Sequence, residues 1–170
     1  MASAKKAIPN ILRWEGGYSS HPADTDGGCT MKGITLITFR RYYGKGKTCE
    51  DLRKITDDQW YHIFRAGYWD RLNGDRIENQ SIADLCVDMC WGSGTVTAIK
   101  KIQRALGTTP DGIVGPKTLA LLNGPDRSAI HAKLKEMRRL WFMNIVQNNP
   151  KKKVFLKGWL NRLATYTFAE

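Results

Sequence analysis

No stretch of this 170-residue chain approaches the ~20 consecutive apolar residues that a membrane helix needs, so stable membrane insertion is not expected. The amino terminus has no continuous apolar run either. Lys5 and Lys6 come first, and Pro9 and Asn10 then interrupt the pattern, so no secretory signal is expected. Histidine is scarce, with only His21, His62 and His131. The four cysteines, Cys29, Cys49, Cys86 and Cys90, contain no C-x-x-C pair. That spacing argues against a zinc site, and no metal or other cofactor is expected. The cysteines read as free thiols, Cys86 and Cys90 being small buried hydrophobes on a helix. There is no internal repeat and no low-complexity segment.

Acidic residues are also in short supply. Lys and Arg outnumber Asp and Glu by 27 to 16, a formal charge of +11, which draws the chain towards a polyanion. Nucleic acid and bacterial cell wall both qualify by charge. The basic residues are spread out, however, and no compact recognition helix emerges, so nucleic acid is not the expected partner. A hydrophobic content of 42% with 25% charged residues is that of an ordinary globular chain. It is long enough for one domain, or for a large and a small lobe.

Periodicity predicts a mainly helical protein. A first helix spans Lys5 to Glu15, with Pro9 tolerable in its opening turn, and Gly16-Gly17 ends it. From Tyr18 to Ile34 helical spacing is lost, and Asp26-Gly27-Gly28 signals a turn between two short extended runs. Thr35 precedes an aromatic helix through Phe39 and Tyr43. Thr56 caps another carrying Trp60, Ile63, Phe64 and Tyr68. Ser81 to Trp91 forms a further helix, broken by Gly92-Ser93-Gly94. Thr95 opens a helix closed by a left-handed Gly107. Pro116 starts a short one, Asp126 caps the longest, and Asn149-Pro150 stops it before a final helix.

Glu15 is the most informative residue. Ile8, Ile11 and Leu12 precede it at helical spacing, placing its carboxyl on an apolar face. Apolar surroundings disfavour the charged form, so such a group can serve as a proton donor near neutrality. The bland alternative is a helix-end carboxylate paired with one of the many Lys and Arg.

Its neighbours carry a resemblance. The run Glu15-Gly16-Gly17-Tyr18, followed by Asp24-Thr25-Asp26-Gly27-Gly28, Thr30 and Gly33-Ile34, resembles the signature of glycoside hydrolase family 108, phage and bacterial N-acetylmuramidases. The usual Asp-Pro-Gly-Gly block is one residue longer here, so both Asp24 and Asp26 are candidates for the second acidic role. Gln103 to Gly107, Asp111-Gly112, Gly115-Pro116 and Thr118-Leu119 look like the accompanying predicted peptidoglycan-binding region. Gly158 to Arg162 looks like its closing motif. The spacing of Glu15, Asp24 and Thr30 is also similar to the Glu-Asp-Thr set of phage-type lysozymes.

The resemblance implies an α+β lysozyme-like fold, mainly α, with one small β-hairpin beside the catalytic helix. Residues 1–94 would form the catalytic region, and residues 95–170 a helical peptidoglycan-binding region packed on it. The implied activity is hydrolysis of the β-1,4 bond between N-acetylmuramic acid and N-acetylglucosamine in peptidoglycan glycan strands, with Glu15 as general acid and Asp24 or Asp26 with Thr30 assisting. Tyr18, Trp91 and Ser93 are candidate sugar contacts, although a Trp in an apolar helix is ordinarily core. A wall-acting protein without a leader would be made in the cytoplasm and released by a holin or another export route. Two other readings compete: a lytic transglycosylase acting on the same bond, and a wall-binding module without catalysis.

Overall fold

The computed structural model describes residues 1–20 and 28–170. Asp24, Asp26 and most of the Asp26-Gly27-Gly28 turn lie outside the described residues. The fold is mainly helical with a small antiparallel sheet, the lysozyme-like class expected.

Helix α1 (Ala4–Leu12) buries Ala4, Ala7 and Ile11. It starts and stops earlier than periodicity predicts. Pro9 falls at its sixth position, where it withholds an N–H from the Lys5 carbonyl. Leu12 is exposed, and the chain leaves the helix through single turns in which the Trp14 and Glu15 amides bond back to Ile11 and Leu12. Glu15 therefore sits just beyond the helix, on a turn.

Strands β1 (Tyr18–Ser20), β2 (Cys29–Met31) and β3 (Ile34–Thr35) form a three-stranded sheet in that order, where one hairpin was expected. Ser19 pairs with Thr30, and Thr30 with Thr35. The β2–β3 connection is the two-residue loop Lys32-Gly33, both residues at positive φ (48° and 79°). Such a loop matches the twist of the strands it joins.

Thr35 caps α2 (Leu36–Tyr43) through Thr38, as expected. A short helix, α3 (Cys49–Arg53), was not predicted; a reciprocal Thr48–Asp51 capping box starts it. It packs on β2 and brings Cys49 to Cys29, with Cα atoms 5.9 Å apart in a disulfide. The free-thiol expectation is thus corrected for this pair. Twenty residues separate the two cysteines, and only the packing of α3 on the sheet makes them neighbours. Cys86 and Cys90 are buried free thiols, and burial alone pushes Cys86 up to about 12, leaving it inert.

Thr56 and Gln59 cap α4 (Asp57–Phe64), which runs on into a wider turn, Arg65–Trp69. Helix α5 (Gln80–Ser93) is the spine: Ile82 to Cys90 are all buried, as in a helix covered on every side. Gly92 and Ser93 belong to it, and the predicted break occurs only at Gly94 (φ 84°). Around α5 pack α1, α6 (Thr95–Ala105) and α8 (Arg127–Asn148). Gly107 is left-handed, Pro116 opens α7 (Pro116–Leu122), and Asp126 caps α8 through Ala129, all as read from sequence. The buried Gln103 amide shapes the α6–α7 connection. Its nitrogen donates to Asp111, Ile113 and Thr118, and its oxygen accepts from Gly112. A buried amide so fully satisfied specifies one loop conformation.

Helix α9 (Lys153–Ala164) lies on α8. The tail beyond it returns to the start of α5, where the Ala169 carbonyl accepts from Asn79 Nδ2 and Lys135 Nζ reaches the Tyr166 carbonyl. This return positions Arg162 and Tyr166 beside α5.

Candidate active site

The Glu15 carboxylate collects groups from distant parts of the chain. Trp91 Nε1, near the end of α5, donates to Oε1 at 3.0 Å. Arg162 Nη1, from α9, donates to the same oxygen at 3.0 Å. Among the described residues Oε2 accepts no hydrogen bond, and the side chain is 18% exposed. One oxygen is therefore clamped by two donors, and the other lies against Gly33. The helix-end ion pair weighed against a catalytic role is present, but its partner comes from 147 residues away.

The β2–β3 loop closes over this carboxylate. A Cβ on Gly33 would lie 2.7 Å from Glu15 Oε2 and 2.9 Å from the Trp91 ring. Any other side chain would therefore displace one of them, besides being strained at this φ. Trp60 Nε1, from α4, donates to the Lys32 carbonyl at 3.0 Å and holds the loop down. The Trp91 ring is itself wedged among Trp60, Phe64 and Tyr68, with centroids at 5.3, 6.2 and 4.7 Å. Its indole N–H is consequently aimed rather than free to wander.

Behind Glu15, Arg162 links two carboxylates. Its Nε donates to Asp88 Oδ1 at 2.8 Å, and its Nη2 lies 2.7 Å from the same oxygen. Tyr166 Oη donates to that oxygen as well, at 2.8 Å. Burial works against the Arg162 charge, but Asp88 and Glu15 outweigh it and hold the guanidinium above its ordinary range. Burial, reinforced by Asp88, likewise pushes the Tyr166 phenol up, so it remains a donor. The result is a buried chain of charge-assisted hydrogen bonds that fixes Glu15 through α5 and α9 together.

The sequence reading singled out neither Asp88 nor Arg162 for a role. Asp88 did leave a signal: it is, with Asp84, one of two carboxylates in the run Ile82 to Cys90, which is otherwise apolar and buried. Such a residue needs a buried partner.

Of the candidate residues, the structure brings Trp91 directly to Glu15. Thr30 is half-buried in β2, three residues before Gly33. Tyr18 opens β1 with its ring beneath the Arg53 guanidinium, 4.8 Å from the centroid. Ser93 faces elsewhere: its Oγ accepts from Arg138 Nη1 at 2.8 Å, on the far side of Arg162. No group of His, Cys, Asp and Glu among the described residues could hold a metal ion, and no helix of the described residues is long and apolar enough to cross a membrane.

Comparison with known proteins agrees with this architecture. Residues 8–94 match the family model described as glycosyl hydrolase 108, and residues 84–164 match that of a predicted peptidoglycan domain. The two overlap on residues 84–94, the stretch of α5 that carries Asp88 and Trp91. The solved structure of Brucella abortus SagA is similar at 30% identity and a TM-score of 0.81, over 95% of this chain and 90% of that one. No curated protein sequence matches. Fold, carboxylate site and family regions together define a glycoside hydrolase that acts on peptidoglycan. The chain belongs to the glycosyl hydrolase 108 family.

Proposed function

We propose that the protein is a lysozyme-type N-acetylmuramidase, cleaving the β-1,4 bond between N-acetylmuramic acid and N-acetylglucosamine, with Glu15 as general acid. The observation that carries this reading is the asymmetric clamp on Glu15. Oε1 takes both donors, Trp91 and Arg162, while Oε2 takes none among the described residues. Oε2 is then held in one direction, the orientation that proton delivery to a leaving glycosidic oxygen requires. Asp24 or Asp26 is the second carboxylate, holding the attacking water or stabilising the oxocarbenium-like sugar. The Thr30 hydroxyl assists on the same strand that leads to Gly33. Tyr18 contacts the sugar, and residues 95–170 bind the wall beside the catalytic region of residues 1–94. The Cys29–Cys49 disulfide suits an oxidising compartment, in keeping with action outside the cytoplasm. The positive charge favours approach to the anionic wall, and added salt weakens that approach.

The test is Glu15→Gln, assayed on purified peptidoglycan with mass spectrometry of the released fragments. Loss of a general acid lowers kcat by roughly 10²- to 10⁴-fold. Reducing-end sugars are the expected wild-type product. A 1,6-anhydro-muramic product, or wild-type turnover by a folded Glu15→Gln, would overturn the reading.

A further inference from the structure

On the far side of Arg162 from Glu15 lies a cavity of about 510 Å³, walled by α5, α8 and α9. Its floor is Arg138, only 3% exposed. The guanidinium is stacked on Trp141 and Phe142, 4.4 and 4.2 Å from their centroids, and Nη1 donates to Ser93 Oγ. Among the described residues Nε is buried with no hydrogen-bond partner, and Arg138 has no salt bridge. Burial lowers this group to about 10, with Asp88 opposing and the neighbouring Arg162 adding to it, as for a buried cation whose nearest carboxylate is bonded elsewhere. Gly92 leaves room for it: a Cβ there would come within 3.2 Å of Nη2.

The rest of the lining is suited to an anion on an organic chain. Lys152 and Arg162 add two cations, and Asp88, the one carboxylate among the described lining residues, is already taken by Arg162 and Tyr166. Trp159, Ile145 and Leu163 supply apolar wall. A fully hydrated inorganic ion makes poor use of such walls, whereas a carboxylate carried on a peptide uses both features. Arg162 touches Glu15 with one nitrogen and lines this cavity, so a ligand here sits beside the sugar at the cleavage site.

We propose that this cavity receives a carboxylate of the peptide stem borne by N-acetylmuramic acid, with Arg138 as its principal anchor. The inference rests on the peptidoglycan reading above and gives it a place where the stem is read. The stem hangs from the sugar whose bond is cut, so a stem anchored at Arg138 fixes which sugar stands over Glu15.

Titration of the full-length protein with synthetic L-alanyl-γ-D-glutamyl-L-lysyl-D-alanyl-D-alanine, against the same peptide with every carboxyl amidated, tests this without hydrolysis. The free acid is expected to bind at least about tenfold more tightly, as for a hydrogen-bonded charge, and Arg138→Met is expected to erase the difference. On intact sacculi, Arg138→Met should raise KM by more than it lowers kcat. If that variant does not fold, Lys152→Glu at the rim is expected to weaken free-acid binding in its place. Equal binding of acid and amide by the wild type, or no effect of either substitution, overturns the proposal. So does an Arg138-dependent affinity for N-acetylmuramic acid alone equal to that for the peptide, since the lactyl carboxylate would then be the ligand. Wild-type turnover by Glu15→Gln would defeat the muramidase reading and leave the peptide titration standing, so the two failures are separable.

Discussion

Arg162 and Arg138 both come from the C-terminal helices, and both reach the same buried spine, α5, yet they meet opposite surroundings. Arg162 is matched twice, by Asp88 and by Glu15. Arg138 finds one hydroxyl and two aromatic faces, and among the described residues no carboxylate within salt-bridge distance. The difference separates a region built to hold a side chain still from one left electrostatically open. Around Glu15 one carboxylate oxygen is held by two donors and the aromatic rings are locked. In the neighbouring cavity a buried positive charge has no salt-bridge partner among the described residues. A protein tolerates such a charge at a cost in stability, and a ligand can offset that cost when it arrives.

The sharpest way to break the contrast is to remove each arginine in turn. Arg162→Met leaves Asp88, 6% exposed, with Tyr166 as its main partner, and is expected to cost about 3–5 kcal/mol in urea unfolding. Arg138→Met removes an unmatched charge between two rings. Its folded-state pKa lies below the unfolded value, so at neutral pH its charge opposes folding. The variant should stay within about 1 kcal/mol of wild type. Equal losses from the two would remove the distinction.

The disulfide comes next. It closes a separation of 20 residues and ties the sheet to α3, so the double substitution Cys29→Ser with Cys49→Ser should cost about 3 kcal/mol. Reductant should lower wild-type stability by a similar amount and leave the double variant unchanged.

Gly33→Ala probes the locked side without touching a charge. The new Cβ meets Glu15 Oε2 at 2.7 Å, and the positive φ adds about 1–2 kcal/mol of strain. Displacing the carboxylate by about 1 Å is expected to lower kcat roughly a hundredfold, more than the stability loss alone accounts for. Normal turnover by Gly33→Ala would mean that the loop does not position Glu15.

The smallest effect lies two turns before Arg138 on α8. His131 is 3% exposed, its Nε2 is buried without a partner among the described residues, and its ring packs against Phe168. Burial first, then Lys135, lowers its pKa. The native state therefore resists a proton that the unfolded chain accepts near pH 6.5. Stability from this group is present above that pH and is lost as pH falls, by at most about 1.4 kcal/mol per unit. His131→Leu should flatten the profile between pH 7 and pH 5, as followed by thermal unfolding.

Much of the helical frame could be read from local chemistry. Thr35, Thr56 and Asp126 cap helices where their side chains predict, Pro116 opens one, and Gly107 closes another. These signals depend on neighbours within four residues. α3, β3 and the disulfide were missed: α3 is a five-residue helix, β3 is only two residues long, and the cysteine pair depends on how α3 packs on β2. The end of α1 was placed three residues late because Leu12, apolar but exposed, imitates a continuing buried face. Of the candidate site, Glu15 and its glycine-rich surroundings stood out in the sequence. Arg162 stood only as part of a closing motif, and Asp88 and Arg138 were not assigned roles.

The sequence by itself determined that this chain is mainly helical, that Glu15 is followed by a glycine-rich non-helical stretch, and that the surface is strongly basic. Each of these follows from residue type and near-neighbour spacing, because capping, periodicity and net charge are local or additive. Only the tertiary structure decided which of the 27 basic residues faces Glu15, which oxygen is held, and which buried cation goes unmatched. Those choices depend on the return of α9 and the tail onto α5. That return is stabilised by packing and hydrogen bonds between residues 74 to 147 positions apart.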